Sequence, residues 1–345
     1  MTAAKIWIAA NQGEVGGGEV MLHHIATALR ELGREVAVVA PAEPSEVADR
    51  MEADGFEVAR VPGQGRLAYM RGLRRWHRTH REDIVWCNGL LPATALAGRT
   101  RRIVHLHQVP EKPPLRVFAA LAKPGALAVL CPSTFAADRI RGARVFGNWV
   151  PEPSAADASA RRRTDGPLTV GFLGRLSEDK GILTFLEAAR IVTRRRDGAV
   201  EFSIGGEGRF VDPEEQHRID LALASAGEAV RRLGWVRTGE FLDSVDLLVV
   251  PSQSAEVFGL TAAEAMAARV PLIVSDAGAL PEVVGSGHPW IFPQQDAHAL
   301  ADVLLTALDA DRSAAVEDQH RRWEERWSPD AGRAAVALLL EDLDV

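Results

Sequence analysis

Short apolar segments alternate with longer amphipathic segments along this chain, and the alternation stops once before it starts again. An apolar segment of about five residues followed by a segment of helical periodicity is typical of βαβ units, which build a parallel sheet. The interruption is Pro151–Pro167, which is rich in Pro, Ser, Ala and Arg and has no apolar period, as expected for a linker. The sequence therefore predicts two successive parallel α/β domains of similar size.

Strands can be assigned in each half from these apolar segments. The predicted strands are Lys5–Ala10, Glu35–Ala40, Glu57–Arg60, Asp83–Cys87, Arg102–Leu106, Leu127–Cys131 and Arg144–Phe146 in the first half, and Leu168–Leu173, Val200–Ile204, Val245–Val250 and Pro271–Val274 in the second. The tail from Arg312 to Leu343 has helical periodicity with a break at Ser328-Pro329.

Length and composition agree with this organisation. The chain has 345 residues, of which 47% are hydrophobic and 25% charged, and this is the composition of an ordinary globular protein with two domains. No apolar run approaches the roughly 18–20 residues of a membrane span, and the first residues do not resemble a secretory signal. Cys87 and Cys131 each lie in an apolar run, so we expect buried reduced thiols and a cytoplasmic protein.

Charge is distributed unevenly between the halves. The net charge of −7 argues against general nucleic-acid binding. Residues 1–150 carry 20 Lys and Arg against 14 Asp and Glu, whereas residues 151–345 carry 20 against 33. The basic segment Tyr69–Glu82 could lie on an anionic membrane with Leu73 and Trp76. We favour the alternative in which these two side chains pack inward, and we expect at most weak, salt-sensitive membrane contact.

Three loops that follow predicted strands are suited to a phosphate. Gly17 and Gly18 precede a predicted helix, where glycine lets a ligand approach and the helix start offers free N–H groups. Arg175 and Lys180 could bind a diphosphate, the first bidentately and the second as a point charge. Glycines recur at Gly205–Gly208. The plainer explanation is a flexible turn for the glycines and solvated basic residues for the two cations.

Two glutamates flank the predicted start of a helix near Gly259. Glu256 lies in the loop before the helix, and Glu264 lies in its second turn. The two carboxylates could contact hydroxyls on different parts of one ligand, while amides at the helix start meet its phosphate. The plainer interpretation is a cap-region acid and a surface acid, although the alanines and methionine around Glu264 disfavour a solvated position.

Taken together, these motifs resemble a known family. The sequence contains Gly-Arg-Leu-x-x-x-Lys-Gly, then Pro-Ser-x-x-x-Glu-x-Phe-Gly-Leu-x-x-x-Glu-Ala-Met-Ala, then Pro-x-x-x-Ser-Asp-x-Gly-x-x-Pro-Glu-Val-Val. The combination resembles the retaining glycosyltransferases of family 4 over nearly the whole chain. The resemblance implies an α/β protein with the GT-B fold, in which two Rossmann-like parallel-sheet domains face each other across a cleft and a C-terminal helix crosses back to the N-terminal domain.

Site roles follow from the resemblance at the matching positions. Arg175 and Lys180 would bind the donor's diphosphate and stabilise the leaving group. Glu256 would contact the transferred sugar, and Glu264 the ribose hydroxyls. The other implied donor contacts are Gly17, Gly18, Gly174, Gly206, Gly208, Trp235, Val236, Phe258, Gly259 and Leu260.

The family also carries a histidine at a strand end that faces the donor sugar. Aligning Gln108 with the acid that usually follows this histidine selects His107 as a catalytic residue. His105 and His107 point to the same side of an extended strand, so the choice between them stays open. The plainer interpretation of either residue is a core or cap histidine.

Three positions depart from the family pattern. Arg269 stands where glycine is usual, Trp149 replaces the glycine of an Asn-Gly-Val-Asp segment, and Gln108 replaces the acid. The first two affect turns rather than charges, so we expect altered loops within the same class. Gln108 could change acceptor or sugar contacts.

The resemblance also sets the expected domains. They are an acceptor-binding domain over residues 1–150, a linker over 151–166, a nucleotide-sugar-binding domain over 167–322, and a terminal helix over 323–345 that packs on the first domain. Trp323 and Trp327 belong to that helix.

The predicted activity is metal-independent retaining transfer from a nucleotide-diphosphate sugar, most commonly a UDP-sugar, to a small hydroxyl-bearing acceptor. No cofactor and no metal are expected, because Arg175 and Lys180 supply the positive charge that a divalent ion supplies elsewhere. The alternatives are a GT-B nucleotide-sugar epimerase or hydrolase, and a catalytically silent nucleotide-sugar-binding regulatory subunit.

Overall fold

The computed structural model describes residues 5–153, 166–196, 199–208 and 211–345, which divide into two compact units. The first unit contains the chain up to Trp149 together with Pro329–Val345, and the second contains Val150–Ser328. Most of the predicted linker, residues 154–165, lies outside the described residues. No helix in the described ranges combines the length and the apolar character needed to span a membrane.

The first unit is built on a parallel sheet. Its strands are β1 (Ile6–Ala10), β2 (Val36–Pro41), β3 (Glu57–Val61), β4 (Ile84–Asn88), β5 (Arg102–His105), β6 (Ala126–Cys131) and β7 (Arg144–Val145). Within the described residues the strand order is β3-β2-β1-β4-β5-β6-β7, and every pairing is parallel. The helices that connect these strands are α1 (Gly17–Glu31), α2 (Glu46–Ala53), α3 (Gly65–Trp76), α4 (Leu90–Ala95), α5 (Pro113–Ala122) and α6 (Thr134–Ala137).

Burial explains the first sheet. Every residue of β1 is buried, as expected for a central strand covered by helices on both faces. In α1 the side chains of Leu22, Ile25 and Leu29 recur at helical spacing and are fully buried. Burying each such side chain stabilises the fold by roughly 1.5–3 kcal/mol. All seven strands predicted for this half are confirmed, with ends that shift by at most one residue.

The second unit repeats the architecture. Its strands are β8 (Leu168–Leu173), β9 (Val200–Gly205), β10 (Val230–Arg232), β11 (Leu247–Val250), β12 (Leu272–Ser275) and β13 (Ile291–Phe292). In the described part of this unit they form a parallel sheet in the order β10-β9-β8-β11-β12-β13. Its helices are α7 (Ile182–Arg196), α8 (Pro213–Ala226), α9 (Thr238–Asp243), α10 (Leu260–Ala267), α11 (Leu280–Val284), α12 (Ala297–Asp309) and α13 (Ser313–Arg326).

The expectation that Trp323 and Trp327 pack on the first domain is wrong. Both side chains are buried in the core of the second unit. Each buried indole N–H needs an acceptor, and it donates to a carbonyl of this unit: Trp323 to Val150 O at 3.1 Å and Trp327 to Val283 O at 3.1 Å. The boundary between the units therefore falls at Ser328-Pro329, where the helical tail is broken, and not at residue 323.

The last helix, α14 (Pro329–Asp342), does return to the first unit, where it packs against α1. Arg333 pairs there with Glu31 at 3.0 Å. Gly332 lies against the indole of Trp149, since a Cβ at Gly332 would come within 2.1 Å of the ring. The large side chain that replaces the family's glycine at position 149 is thus accommodated by a glycine in the facing helix.

Arg269, the other departure at a turn, lies directly after α10 with a φ of +55°. Only glycine adopts this left-handed conformation without cost, which explains why glycine is usual there. The arginine adopts this conformation here and pairs with Glu317 at 2.8 Å.

The basic helix α3 packs inward through the two apolar residues singled out in the sequence. Leu73 is fully buried, and Trp76 stacks on His80 and meets Trp7 edge-on. The exposed large apolar side chains of this unit include Leu67 on α3, which is 68% exposed, and a group on α5, where Val117 and Leu121 are more than half exposed. The inward-packing interpretation of α3 is confirmed.

Candidate functional site

The loop after β8 holds the first predicted cation. Gly174, with a φ of +150°, ends the strand and is followed by Arg175. The guanidinium donates to Asp179 Oδ2 at 2.7 Å and to Ser177 Oγ at 3.1 Å, and more than a third of it is exposed. Arg175 is therefore oriented by its own loop while it remains accessible to a ligand.

Lys180 and Glu256 meet although 76 residues separate them. Lys180 Nζ lies 2.5 Å from Glu256 Oε2, which also accepts a hydrogen bond from Ser252 Oγ at 3.2 Å. The meeting follows from topology, because β8 and β11 are parallel neighbours and their carboxyl ends lie at the same edge of the sheet. The side chain of Glu256 is only 14% exposed.

Glycines let these loops approach each other at backbone distance. Gly181 has a φ of +79°, and a Cβ there would come within 1.7 Å of Pro251 O. Gly206 has a φ of +130°, and a Cβ there would come within 1.9 Å of Gly174 O. Both positions therefore require glycine for conformation and for space. The predicted glycine loops after β8 and β9 are in direct contact.

The loop that follows β12 packs against the backbone of Glu256. Ala279 N donates to Glu256 O at 2.7 Å, and Gly278 packs so closely that a Cβ would lie 2.1 Å from the same oxygen. Ser275 Oγ donates to Ser252 O at 2.7 Å. The loops after β8, β11 and β12 therefore form one hydrogen-bonded group around Glu256.

Glu264 lies in α10 and is largely buried among alanines. Loss of hydration raises the pKa of its carboxyl to about 7. Its side chain makes no hydrogen bond or ion pair with the rest of the described chain. A buried carboxyl without a partner is the form expected of a group that awaits hydroxyl donors from a ligand.

We expect Glu264→Gln to change the pH dependence of stability. The folded-state pKa lies above the ordinary value, so the folded protein loses stability relative to the unfolded chain as the pH rises from about 4.5 to 7. The glutamine variant lacks this loss and should gain roughly 2 kcal/mol over wild type between pH 5 and pH 8. Urea unfolding at both pH values measures it, with the exposed Glu201→Gln as control. An equal pH dependence in wild type and variant would contradict the assignment.

Three more of the predicted contacts lie at the start of α10. Gly259, with a φ of +95°, caps the helix, and Leu260 is its first residue. The side chain of Phe258 is buried and meets Trp327 edge-on at 5.0 Å, so only the backbone of Phe258 is available to a ligand. Trp235, which was predicted for the nucleobase pocket, lies in the turn after β10 and is 66% exposed.

Val236 and Gly208 complete the second unit's predicted set. Val236 packs against Gly205 at the end of β9, since a Cβ on that glycine would lie 2.6 Å from it. Gly208 faces the side chain of Gln216 on α8. Both residues therefore lie near the carboxyl end of β9, as the predicted nucleobase pocket requires.

The first unit gathers a second, smaller group. Gly17 opens α1, and Gly18 packs against the ring of His107, whose Cδ2 would be 3.4 Å from a Cβ at this glycine. His105 is fully buried at the end of β5, whereas His107 is partly exposed beyond it. A histidine that contacts substrate has to be reachable, so the geometry favours His107.

Asn88 and Glu19 also belong to this group, although neither was predicted from the sequence. Asn88 ends β4 and hydrogen-bonds both His107 and Gly18. Glu19 is 7% exposed, and desolvation raises its pKa to about 7, although it accepts backbone hydrogen bonds from Asn11 and Gln12, among others. Glu19 could have been predicted as a site residue because it directly follows the three glycines in Gly-Gly-Gly-Glu. For Asn88 the sequence offers only its position at the end of a strand.

Cys87 and Cys131 are both buried, as predicted, and burial raises the pKa of the Cys87 thiol to about 12. Over the described ranges, no three His, Cys, Asp or Glu side chains are grouped closely enough to hold a metal ion.

Comparisons with known proteins agree with this arrangement. The family described as "Glycosyl transferase 4-like domain" matches residues 16–177, and the family described as "Glycosyl transferases group 1" matches residues 167–310. A phosphatidyl-myo-inositol mannosyltransferase of Mycolicibacterium smegmatis is 28% identical over 338 residues, which cover 86% of this chain and 82% of the relative.

Other similarities are more local or concern the fold. The amylovoran biosynthesis glycosyltransferase AmsK of Erwinia amylovora is 31% identical over 163 residues, or 45% of this chain and 39% of that protein. The Anabaena protein HepE, solved in complex with UDP and glucose, has a TM-score of 0.81 at 22% identity, covering 98% of this chain and 99% of that one. The predicted fold class is confirmed by these neighbours. The chain belongs to the family 4-like glycosyltransferases.

Proposed function

We propose that this enzyme is a retaining glycosyltransferase that moves a sugar from a nucleoside-diphosphate sugar to a small hydroxyl-bearing acceptor. The observation that carries the proposal is the contact of Lys180 with Glu256 at 2.5 Å, beside the exposed guanidinium of Arg175. It supplies two cations for a diphosphate and a carboxylate for a sugar at one edge of the sheet. The relatives' donors differ, and a UDP-sugar is our first choice because HepE was solved with UDP.

The proposed reaction exchanges one bond for another. The bond between the anomeric carbon and the diphosphate oxygen breaks, and the diphosphate leaves with one more negative charge. The acceptor oxygen bonds to that carbon and releases its proton to water, which balances the charge gained by the diphosphate. Arg175 and Lys180 stabilise the charge that develops on the leaving group, which is preorganised electrostatic catalysis. Glu264 accepts hydrogen bonds from the ribose, and His107 faces the sugar.

A panel of nucleotide-sugars, screened by thermal shift and calorimetry, tests the donor. We expect one sugar nucleotide to bind more tightly than its free nucleoside diphosphate. Acceptors are then screened with that donor. Transfer with the anomeric configuration retained supports the proposal. Release of free sugar with every acceptor, a changed sugar nucleotide, or tight binding without turnover would instead identify a hydrolase, an epimerase or a silent binding subunit.

We expect the activity to survive EDTA. Two fixed cations occupy the place where a divalent ion would neutralise the diphosphate in other enzymes, so chelation removes nothing that the proposed step uses. The rate of transfer is compared with and without millimolar EDTA. A complete loss that Mg²⁺ or Mn²⁺ restores would overturn this part of the proposal.

The proposal includes no membrane partner. On α3, Leu73 and Trp76 point inward, which leaves Leu67 as the single large exposed apolar side chain on the helix that carries the arginines. Each surface cation contributes only about 1 kcal/mol to binding anionic lipid, so we expect weak, salt-sensitive sedimentation with phosphatidylglycerol vesicles. Strong binding at physiological salt that Arg74→Glu with Arg78→Glu abolishes would contradict this expectation.

A further inference from the structure

Asn88 connects the glycine loop of the first unit to His107. It is the last residue of β4 and has no exposed surface. Its Nδ2 lies 2.8 Å from Gly18 O, and its Oδ1 lies 2.8 Å from His107 Nε2. A buried amide that uses both of its ends on two separate segments is fixed in position.

These two contacts determine where the protons are. A carbonyl oxygen only accepts hydrogen bonds, so the amide group that faces Gly18 O must be the NH₂. The Asn88 oxygen therefore faces His107, and the imidazole nitrogen opposite an oxygen must carry a proton. His107 is consequently protonated at Nε2, and in the neutral ring Nδ1 keeps its lone pair.

The surroundings keep this ring neutral. Burial lowers the pKa of His107 to about 4, and no carboxylate pairs with it. A neighbouring titratable group is His105, with its ring centre 4.1 Å away and its pKa also lowered. Glu19 on α1 instead faces the backbone of the loop before it. Nδ1 of His107 is buried and has no partner in the described structure.

We propose that Asn88 is a positioning residue that holds His107 as the Nε2–H tautomer, so that the ring is fixed in one orientation where the substrate binds. The second half of this statement rests on the proposed function. The first half does not, because it follows from four atoms and the two hydrogen bonds that join them. Because its Nε2 proton is bound to Asn88 and its Nδ1 carries no proton, the neutral ring of His107 has no free proton to donate.

Nitrogen-15 NMR of the imidazole side chains tests the tautomer directly in the unliganded wild-type protein, with the His107 signal identified by its loss in His107→Asn. We expect the Nε2–H pattern at pH 7. In Asn88→Leu, which has a similar shape but neither polar end, we expect the two tautomers to mix. An Nδ1–H or doubly protonated ring in wild type would overturn the proposal.

The pH profile of kcat at saturating donor provides a second readout. In Asn88→Asp a carboxylate faces Nε2–H and raises the pKa of His107 toward neutrality, so a limb between about pH 6 and 8 should appear that wild type lacks. Asn88→Leu should lose on the order of 10- to 100-fold in kcat, with the donor KM changed less than about threefold.

Gln319→Leu is the matched control for these variants. Its buried amide donates to Val270 O at 2.6 Å in the second unit, so the change also removes a buried hydrogen bond. It should leave the His107 spectrum and the pH profile as in wild type. An Asn88→Asp profile that coincides with wild type would overturn the proposal. If no sugar is transferred at all, the NMR result alone decides the tautomer, so failure of the proposed function and failure of this inference are distinguishable.

Discussion

Lys180→Ala is expected to lower kcat by roughly 100- to 1000-fold at saturating donor, because it removes a fixed cation from the place where the leaving diphosphate gains charge. It also leaves Glu256, which is mostly buried, with Ser252 as its remaining side-chain hydrogen-bond donor. Arg175→Ala should show a loss of similar kind. Steady-state kinetics with varied donor separate this loss in kcat from weaker binding.

Two further variants accompany Lys180→Ala: Lys180→Arg is the conservative substitution, and Arg190→Ala is the control. The arginine variant keeps the charge but not its point-like geometry, so it should recover part of the lost rate. Arg190 forms an ion pair with Glu187 on an exposed face of α7, and its removal should leave kcat within twofold of wild type. Near-normal turnover by Lys180→Ala at saturating donor would remove Lys180 from the mechanism.

Gly181→Ala is expected to lower kcat by about 100-fold without removing any functional side chain. The left-handed φ of +79° costs any other residue roughly 1–3 kcal/mol, and the new Cβ would lie 1.7 Å from Pro251 O. The loop must move away from Pro251 and carry Lys180 with it, and a displacement of about 1 Å at a reacting centre is enough for such a loss.

Gly287→Ala is the matched control, since its Cβ would meet nothing within 4 Å and its φ is ordinary. Urea unfolding shows whether Gly181→Ala is still folded at the assay temperature. Addition of nucleoside diphosphate to the folded variant then shows whether binding survives. A folded Gly181→Ala enzyme with wild-type kcat would mean that the contact with Pro251 does not position Lys180.

The sequence predicted all seven strands of the first sheet and the four inner strands of the second, and it missed the two strands at the edges of the second sheet. β10 and β13, three and two residues long, form the edges of the second sheet. So short a segment has no measurable period, and its pairing depends on strands that are distant in sequence. The packing of Trp149 against Gly332 could not be predicted either, because the two residues are distant in sequence.

For the candidate site, motif spacing was enough to select Arg175, Lys180 and Glu256, because strand ends in a parallel sheet lie together. It did not show that Lys180 and Glu256 touch, nor that Trp327 belongs beneath Phe258. His105 and His107 could not be separated by a period of two, because the strand ends at His105 and the chain then turns. Choosing between the two histidines required the burial of their side chains, which is known only from the structure.

The return of α14 to the first unit has a consequence for biosynthesis. The chain enters the second unit at Val150 and leaves it after Ser328. Near these two points Val150 N donates a hydrogen bond to Trp327 O at 2.9 Å. While the chain is being made, β1–β7 emerge first, yet α1 cannot receive its covering helix until Pro329–Asp342 has left the ribosome. The unit that is synthesised first is thus completed last, after the second unit has had time to fold, and in the interval its uncovered apolar surface is open to chaperones.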